Sequence, residues 1–463
     1  MRVCIGVCGS LILAMAGPSP EALAQDSPVA LVGARVIPVD GDPIETGVLI
    51  VQDGKIVAVG GAGAVTIPEG ATVIDAAGKV IMPGLVDTHS HIGGIGGADG
   101  SGPIQPGVRV YDSINALDAG FHRALAGGLT TLNIMPGSGH LSSGQTVYVK
   151  LRFDEDTPRT VDAIAYTFED GSPMGGLKMA NGTNSIRESG ASGFPGTRGK
   201  SAFLVREAFI KAQEYQAKIA AAVDADGNPD PTKLPPRDLN LETLVQAMEG
   251  KRVVHHHTHR HDDILTVIRL SQEFGFPVVL HHVSEGWMVA DEIAEAGVPC
   301  SIILVDSPGG KLEAENLVFR TGAVLEKAGV LMAYHTDDWI TDSRLFLRMA
   351  ALGVRAGLPR KAAIESLTIN GAKILDLDDR IGSLTPGKDA DFIVLSGDPL
   401  SVYTRVEQTW VEGNKVFDLA NAEDRLFAEG GYGAADDTTP YFCCYDHLLN
   451  TAHTGAHTHN GGE

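Results

Sequence analysis

Lys79-Val-Ile-Met-Pro-Gly-Leu-Val86 runs straight into Asp87-Thr-His-Ser-His91, and the reading of this stretch decides how the rest of the chain is taken. Apolar runs on either side of a Pro-Gly break predict a short strand, a turn and a second strand. Alternate side chains of a strand share a face, so His89 and His91 at the end of the second strand can present two imidazoles to one point. Such a pair suits a metal ion, although two histidines two apart also recur by chance. The weight comes from what lies downstream.

Outward from this point, short apolar runs alternate with amphipathic segments. The runs are Leu129 to Met135, Thr146 to Leu151, Gly176 to Ala180, Arg252 to His257, Pro277 to His282, Val298 to Val305 and Val330 to Tyr334. Predicted helices over Ser201 to Ala222, Leu239 to Glu249, Asp262 to Phe274 and Arg360 to Ile369 separate several of them. Strand–helix alternation on this scale predicts an α/β fold with a parallel sheet, and eight such strands close as a (β/α)8 barrel over residues 81–382. On both sides of it the pattern changes to alternating strands and hairpin turns, in 25–80 and 383–420. These flanks are expected to form one small β-sandwich domain.

Composition narrows the partners. The 463 residues carry 43% hydrophobic side chains, enough for a large core, and a formal net charge of −22. That charge disfavours nucleic acid and anionic membranes, which call for basic patches. A small-molecule substrate is the expected partner, with homo-oligomerisation left open. At the N-terminus, Arg2, an apolar stretch Val3 to Ala16 and the Ala22-Leu-Ala24 site predict a secretory signal over 1–24 and a secreted or periplasmic protein with no remaining membrane span. Cys300, Cys443 and Cys444 are too few for a disulfide framework. The tail 421–463 contains His447, His453, His457 and His459, which reads as an end that binds metal adventitiously.

Seven of the sixteen histidines fall between His255 and His282. They cluster at the ends of two predicted strands, Val253-Val-His-His-His-Thr-His259 and Pro277-Val-Val-Leu-His-His282. The last barrel strand ends in His335-Thr-Asp337. In parallel barrels the reactive groups sit at those C-terminal strand ends. Histidines and an aspartate converging there suit zinc or another borderline divalent ion.

Together, Pro83-Gly-Leu-Val-Asp-Thr-His-Ser-His91, His257-Thr-His259, His282-Val-Ser-Glu285, His335-Thr-Asp337 and the closing Gly382-Ser-Leu-Thr-Pro-Gly-Lys-Asp-Ala-Asp391 resemble the amidohydrolase superfamily, in its imidazolonepropionase-like and metal-dependent Xaa-Pro dipeptidase subgroup. The resemblance covers about Val29 to Phe417. It implies a barrel with a flanking β domain, and metal ligands at His89, His91, His257, His282 and Asp337. The family often adds a fourth-strand lysine carboxylated by CO2, which turns a cationic amine into an anionic bridge between two ions. Lys178 is the expected bridge and Lys150 its rival; without a bridge the site would hold one ion rather than two. His255, His256 and His261 are expected as packing or surface residues, and His281 as a wall of the site.

The chain also departs from the family's pattern. Imidazolonepropionase and the related deaminases carry a glutamate three residues after the fifth-strand histidine, and Arg260 stands there instead. His335 replaces the usual glycine before Thr-Asp. The activity implied is hydrolysis of carbon–nitrogen bonds in small substrates such as dipeptides or N-acyl amino acids. Asp337 would serve as the proton-transferring catalytic group, and His259 and Arg260 would hold a substrate carboxylate. Glu285 would orient a ligand or cap the following helix. Hydrolysis of cyclic amides or lactones, deamination, and a non-catalytic binding barrel are the alternatives.

Overall fold

In the computed structural model the described residues are 27–153, 158–187, 193–304, 311–338 and 340–430. The signal expected over 1–24, Trp339 and the tail histidines lie outside them. No helix among the described residues is long and apolar enough to cross a membrane.

The first flank supplies β1 (Val29–Val36), β2 (Ile44–Gln52), β3 (Lys55–Gly61), β4 (Thr72–Asp75) and β5 (Val80–Pro83). The barrel follows with β6 (Leu85–Ser90), β7 (Leu129–Ile134), β8 (Ser142–Gln145), β9 (Val147–Lys150), β10 (Leu177–Ala180), β11 (Val254–Thr258), β12 (Val278–His282), β13 (Cys300–Ile302) and β14 (Met332–Tyr334). The second flank adds β15 (Phe392–Leu395), β16 (Val406–Val411) and β17 (Asn414–Asp418).

The two flanks meet in one hydrogen-bonded sheet of eight strands, ordered β17-β16-β15-β5-β1-β2-β3 with β4 beside β1. Alternation gives it a core on each face. The larger contains Leu31, Leu49, Ile56, Phe392 and Trp410, and the smaller Ala30, Val48 and Ile50. β5 passes through Gly84 directly into β6, and a Cβ on Gly84 would lie 2.3 Å from Thr130 Oγ1. Only glycine lets sheet and barrel join so closely.

In the barrel β10 to β14 are parallel neighbours, as are β6 and β7. A parallel bridge between Ser90 and Asp338 joins β6 to the end of β14. The expected strand Thr146 to Leu151 departs from the all-parallel reading. β8 runs antiparallel to β10, and β9 antiparallel to β7. The cause is the short link 135–141, since a parallel crossover needs about a dozen residues or more. The reversal places Lys150 opposite Thr131, near the start of β7, and Val147 opposite Ile134 at its end.

Most predicted helices form near their expected bounds, as Arg198–Ala220, Leu239–Met248 and His261–Phe274. The segment expected as one helix over Arg360 to Ile369 divides into Arg360–Glu365 and Ile369–Ile374. Thr368, at φ −134° and ψ −98°, breaks it.

Candidate functional site

Parallel strands deliver their C-terminal ends to one face, and there the site is assembled. His89 Nε2 lies 3.2 Å from His91 Nε2 and 3.4 Å from Asp337 Oδ1, and His91 Nε2 is 3.0 Å from the same oxygen. Lys178 Nζ, from β10, is 3.1 Å from His89 Nε2. His282 Nδ1 sits 3.7 Å from Asp337 Oδ2, and the His257 ring centroid is 4.5 Å from that of His282. The six residues expected as metal ligands thus form one contiguous cluster.

Two backbone features build it. Asp337 N–H donates to the His89 carbonyl and His91 N–H to that of Asp338, which tie the first and last strands at their ends. Asp87, fully buried, accepts from Thr336 N–H at 3.1 Å and from the Thr336 hydroxyl, and burial raises its carboxyl to about 7. His282, Val283 and Asp337 have left-handed φ values of 70°, 51° and 50°. For non-glycine residues this conformation is sparsely populated and costs about 1–3 kcal/mol each. It breaks strand alternation at the end of β12. Both His281 and His282 then reach the His89 ring, with centroids 4.9 Å and 4.8 Å away.

The electrostatics suit a cation. Burial holds His89, His257 and His282 far below the ordinary imidazole range, so they are neutral and keep a lone pair. Burial also pulls Lys178 down to about 7 against the opposing charge of Asp337. Asp337 stays below the usual carboxylate range; burial works to raise it, and His91 above all outweighs that effect. His91 Nδ1 donates to the Met135 carbonyl at 2.7 Å, so His91 can turn Nε2 to an ion as a lone pair while its proton stays on Nδ1. Lone pairs on neutral His89 and His91 and a carboxylate oxygen would then meet at one point. Their convergence is the donor set of a divalent ion.

A line of buried hydrogen bonds leads away from His89. Its Nδ1 is 3.1 Å from His281 Nδ1, His281 Nε2 is 2.9 Å from His255 Nδ1, and His255 Nε2 is 3.0 Å from Tyr148 Oη. Gly176 makes room for the His255 ring, since a Cβ there would stand 2.4 Å from its Cδ2. Sequence reasoning expected His281 as a wall and His255 as packing. The signal that could have linked them is register: His255 pairs with Lys178, and His281 with His257. His335 was likewise missed as a partner; its Nε2 is 3.1 Å from His282 Nδ1, and its Nδ1 is 2.7 Å from Ser301 Oγ.

Other expectations are corrected. Lys150 is nowhere near the histidines, because its strand is reversed. It is buried against Asp389 and Asp391 (3.0 Å) of the closing segment and Glu412 (3.2 Å) of the turn between β16 and β17. Arg260, expected to hold substrate, instead makes a bidentate pair with Asp262 at 3.0 and 2.9 Å, with its side chain 40% exposed. Glu285 neither orients a ligand nor caps the following helix. It accepts from His261 N–H (3.0 Å) and His261 Nδ1 (2.7 Å) at the start of helix His261–Phe274. His259 does adjoin the cluster, 4.7 Å from His257 between ring centroids. A cavity of about 330 Å3, lined by Arg198, Val205, His256 and Asp263 among others, opens on the other face of β11.

The profile of the amidohydrolase family (Amidohydro_3) matches residues 146–417, more than half of the chain. The chain belongs to the amidohydrolase family. Among similar amidohydrolases, a crystal structure from Thermotoga maritima is 33% identical, with a TM-score of 0.75 over 84% of this chain and 100% of that one. The amidohydrolase tasK of Hapsidospora irregularis is 29% identical over 393 residues, which cover 81% of this chain; the chain spans 39% of that relative's length. A 5-methylthioadenosine/S-adenosylhomocysteine deaminase of Symbiobacterium thermophilum is 25% identical over 409 residues, 79% of this chain and 84% of the relative. Hydrolytic and deaminating relatives therefore both occur among the similar proteins.

Proposed function

We propose that this amidohydrolase cleaves the amide or peptide bond of small substrates, dipeptides or N-acyl amino acids, with a divalent metal, zinc in the first instance. The observation that carries the reading is the meeting of His89 Nε2, His91 Nε2, Asp337 Oδ1 and Lys178 Nζ within 3.4 Å contacts. His89, His91, Lys178 and Asp337 would hold the first ion, with His257 and His282 beside it. Bound there, such an ion supplies Lewis acidity, bringing water towards neutrality in pKa and polarising the scissile carbonyl.

The chain's own groups do the rest. Asp337 accepts the proton of the attacking water at its carboxylate and returns it to the leaving amine. Lys178, fully buried against His89 and Met135 Sδ, is suited to react with CO2 as the free amine, forming a carbamate and releasing a proton. The line from His89 to Tyr148 fixes a tautomer. With Nε2 facing the ion, His89 donates from Nδ1 to His281, which donates from Nε2 to His255, which donates from Nε2 to Tyr148 Oη. His281→Phe should therefore weaken metal binding about 10–100-fold, read by competition with a chromogenic chelator. Unchanged affinity would show that this line does not orient His89.

Arg260, where the deaminases of the resemblance have a glutamate, favours hydrolysis over deamination. The test is amine release from a panel of dipeptides, N-acyl amino acids and cyclic amides. One amide class should turn over, lose activity with a chelator and regain it with Zn2+. Ammonia release from amidines with no amide cleaved would overturn the reading in favour of deamination.

A further inference from the structure

Behind the strand that bears His257, the cavity of about 330 Å3 is lined by none of the residues assigned to the metal. Alternation along β11 turns His255 and His257 to one face and His256 to the other, where the helices Arg198–Ala220 and His261–Phe274 close over it. His256 is 2% exposed. Expected as a packing or surface residue, it lines the cavity instead. Its Nδ1–H donates to the His257 carbonyl at 3.0 Å, which leaves Nε2 as a lone pair with no partner among the described residues.

Two more acceptors line the same cavity. Asn181 Nδ2 donates to the Asp263 carbonyl at 3.1 Å, and its buried Oδ1 has no partner. Asp263, 4% exposed, gives Oδ2 to Arg198 Nε at 2.8 Å and leaves Oδ1 without a hydrogen bond. Buried acceptors are costly to leave unsatisfied. Three of them, one a carboxylate, suit a group with several N–H bonds, an ammonium above all. The rest of the cavity has the opposite character. Leu141, Val205 and Leu270 give it an apolar wall, and Gly199 and Ser201 bring the first turn of the 23-residue helix to its edge. Helix N-termini favour anions. Arg269, also at the edge, donates to Thr266 Oγ1 at 2.8 Å and forms no ion pair among the described residues.

We propose that this cavity binds a free α-amino acid with an apolar side chain. Its ammonium would sit on Asn181, His256 and Asp263, its carboxylate towards Arg269 and the helix N-terminus, and its side chain against the apolar wall. The volume falls within the span of small-ligand pockets, about 300–1,000 Å3, which likewise pair apolar walls with a few placed polar groups. Binding here needs neither the metal nor turnover.

The experiment is calorimetric titration of metal-free full-length protein with L-leucine, with leucinamide, which lacks the carboxylate, and with isocaproate, which lacks the ammonium. Leucine should bind, and each analogue at least about 10-fold more weakly. Ala202→Phe, which fills the cavity from the helix, should abolish leucine binding and leave metal binding as in wild type. Should that variant fail to fold, Arg269→Gln, at an exposed side chain, should weaken leucine at least about 10-fold and leave leucinamide unchanged. No binding of leucine by the wild type would overturn the proposal. So would analogues that bind as well as leucine, or leucine binding unaltered in Ala202→Phe or Arg269→Gln. Because leucine binding is read without metal, a failure of the loaded enzyme to cleave amides would defeat the catalytic reading alone.

Discussion

Asp337→Asn should give a folded protein whose kcat/KM is down by about 10^3-fold, the middle of the range for losing a general acid–base group. The substitution keeps the shape of the side chain and removes its charge and its capacity to take a proton. Asparagine is at home in left-handed backbone, so the φ of 50° at this position is kept without new strain. The backbone bond from residue 337 N–H to the His89 carbonyl is also unaffected. Fold and chemistry are thereby separated. The check is steady-state kinetics on the best substrate of the panel, alongside a melting curve. Activity within 10-fold of wild type would move proton transfer to another group.

Lys150→Met should act in the opposite way, costing about 3–5 kcal/mol of stability with kcat and KM near wild type. Lys150 is 0% exposed and stands among Asp389, Asp391 and Glu412, where Arg152 and Arg380 also converge. Its removal strands buried carboxylates. Asp389 and Asp391 belong to the segment that carries the chain back from the barrel into the flanking sheet and Glu412 to the β16–β17 turn of that sheet, so the loss falls on this junction, away from the strand ends that bear the histidines. A lowered urea midpoint with unchanged kinetics below the transition is the expected readout. Loss of bound metal would instead return Lys150 to the site.

The pH dependence of that penalty follows from the same charges. Burial works to raise Glu412, but Lys150 and Arg152 outweigh it and hold its carboxyl down to about 2 from an ordinary 4.5. A depressed carboxylate contributes stability above its unfolded pKa and loses it as pH falls towards the folded value. The difference between wild type and Lys150→Met should be full at neutral pH and shrink between about 4.5 and 2. Asp391 moves the other way, pushed up by burial and by its neighbour Asp389, because two carboxylates share one ammonium.

The sequence by itself determined the alternation of apolar runs that makes a barrel, the β-rich flanks, and the strand-end positions of His89, His91, His257, His282 and Asp337. These are local patterns: a period of two, a turn residue, a polar group at the end of an apolar run. Only the tertiary structure separates the two lysines in space, because a link too short for a crossover reverses β9 and carries Lys150 to the opposite end of the barrel from Lys178. It alone brought His281 and His282 to one ring, since alternation forbids this until left-handed backbone at His282 and Val283 breaks the pattern.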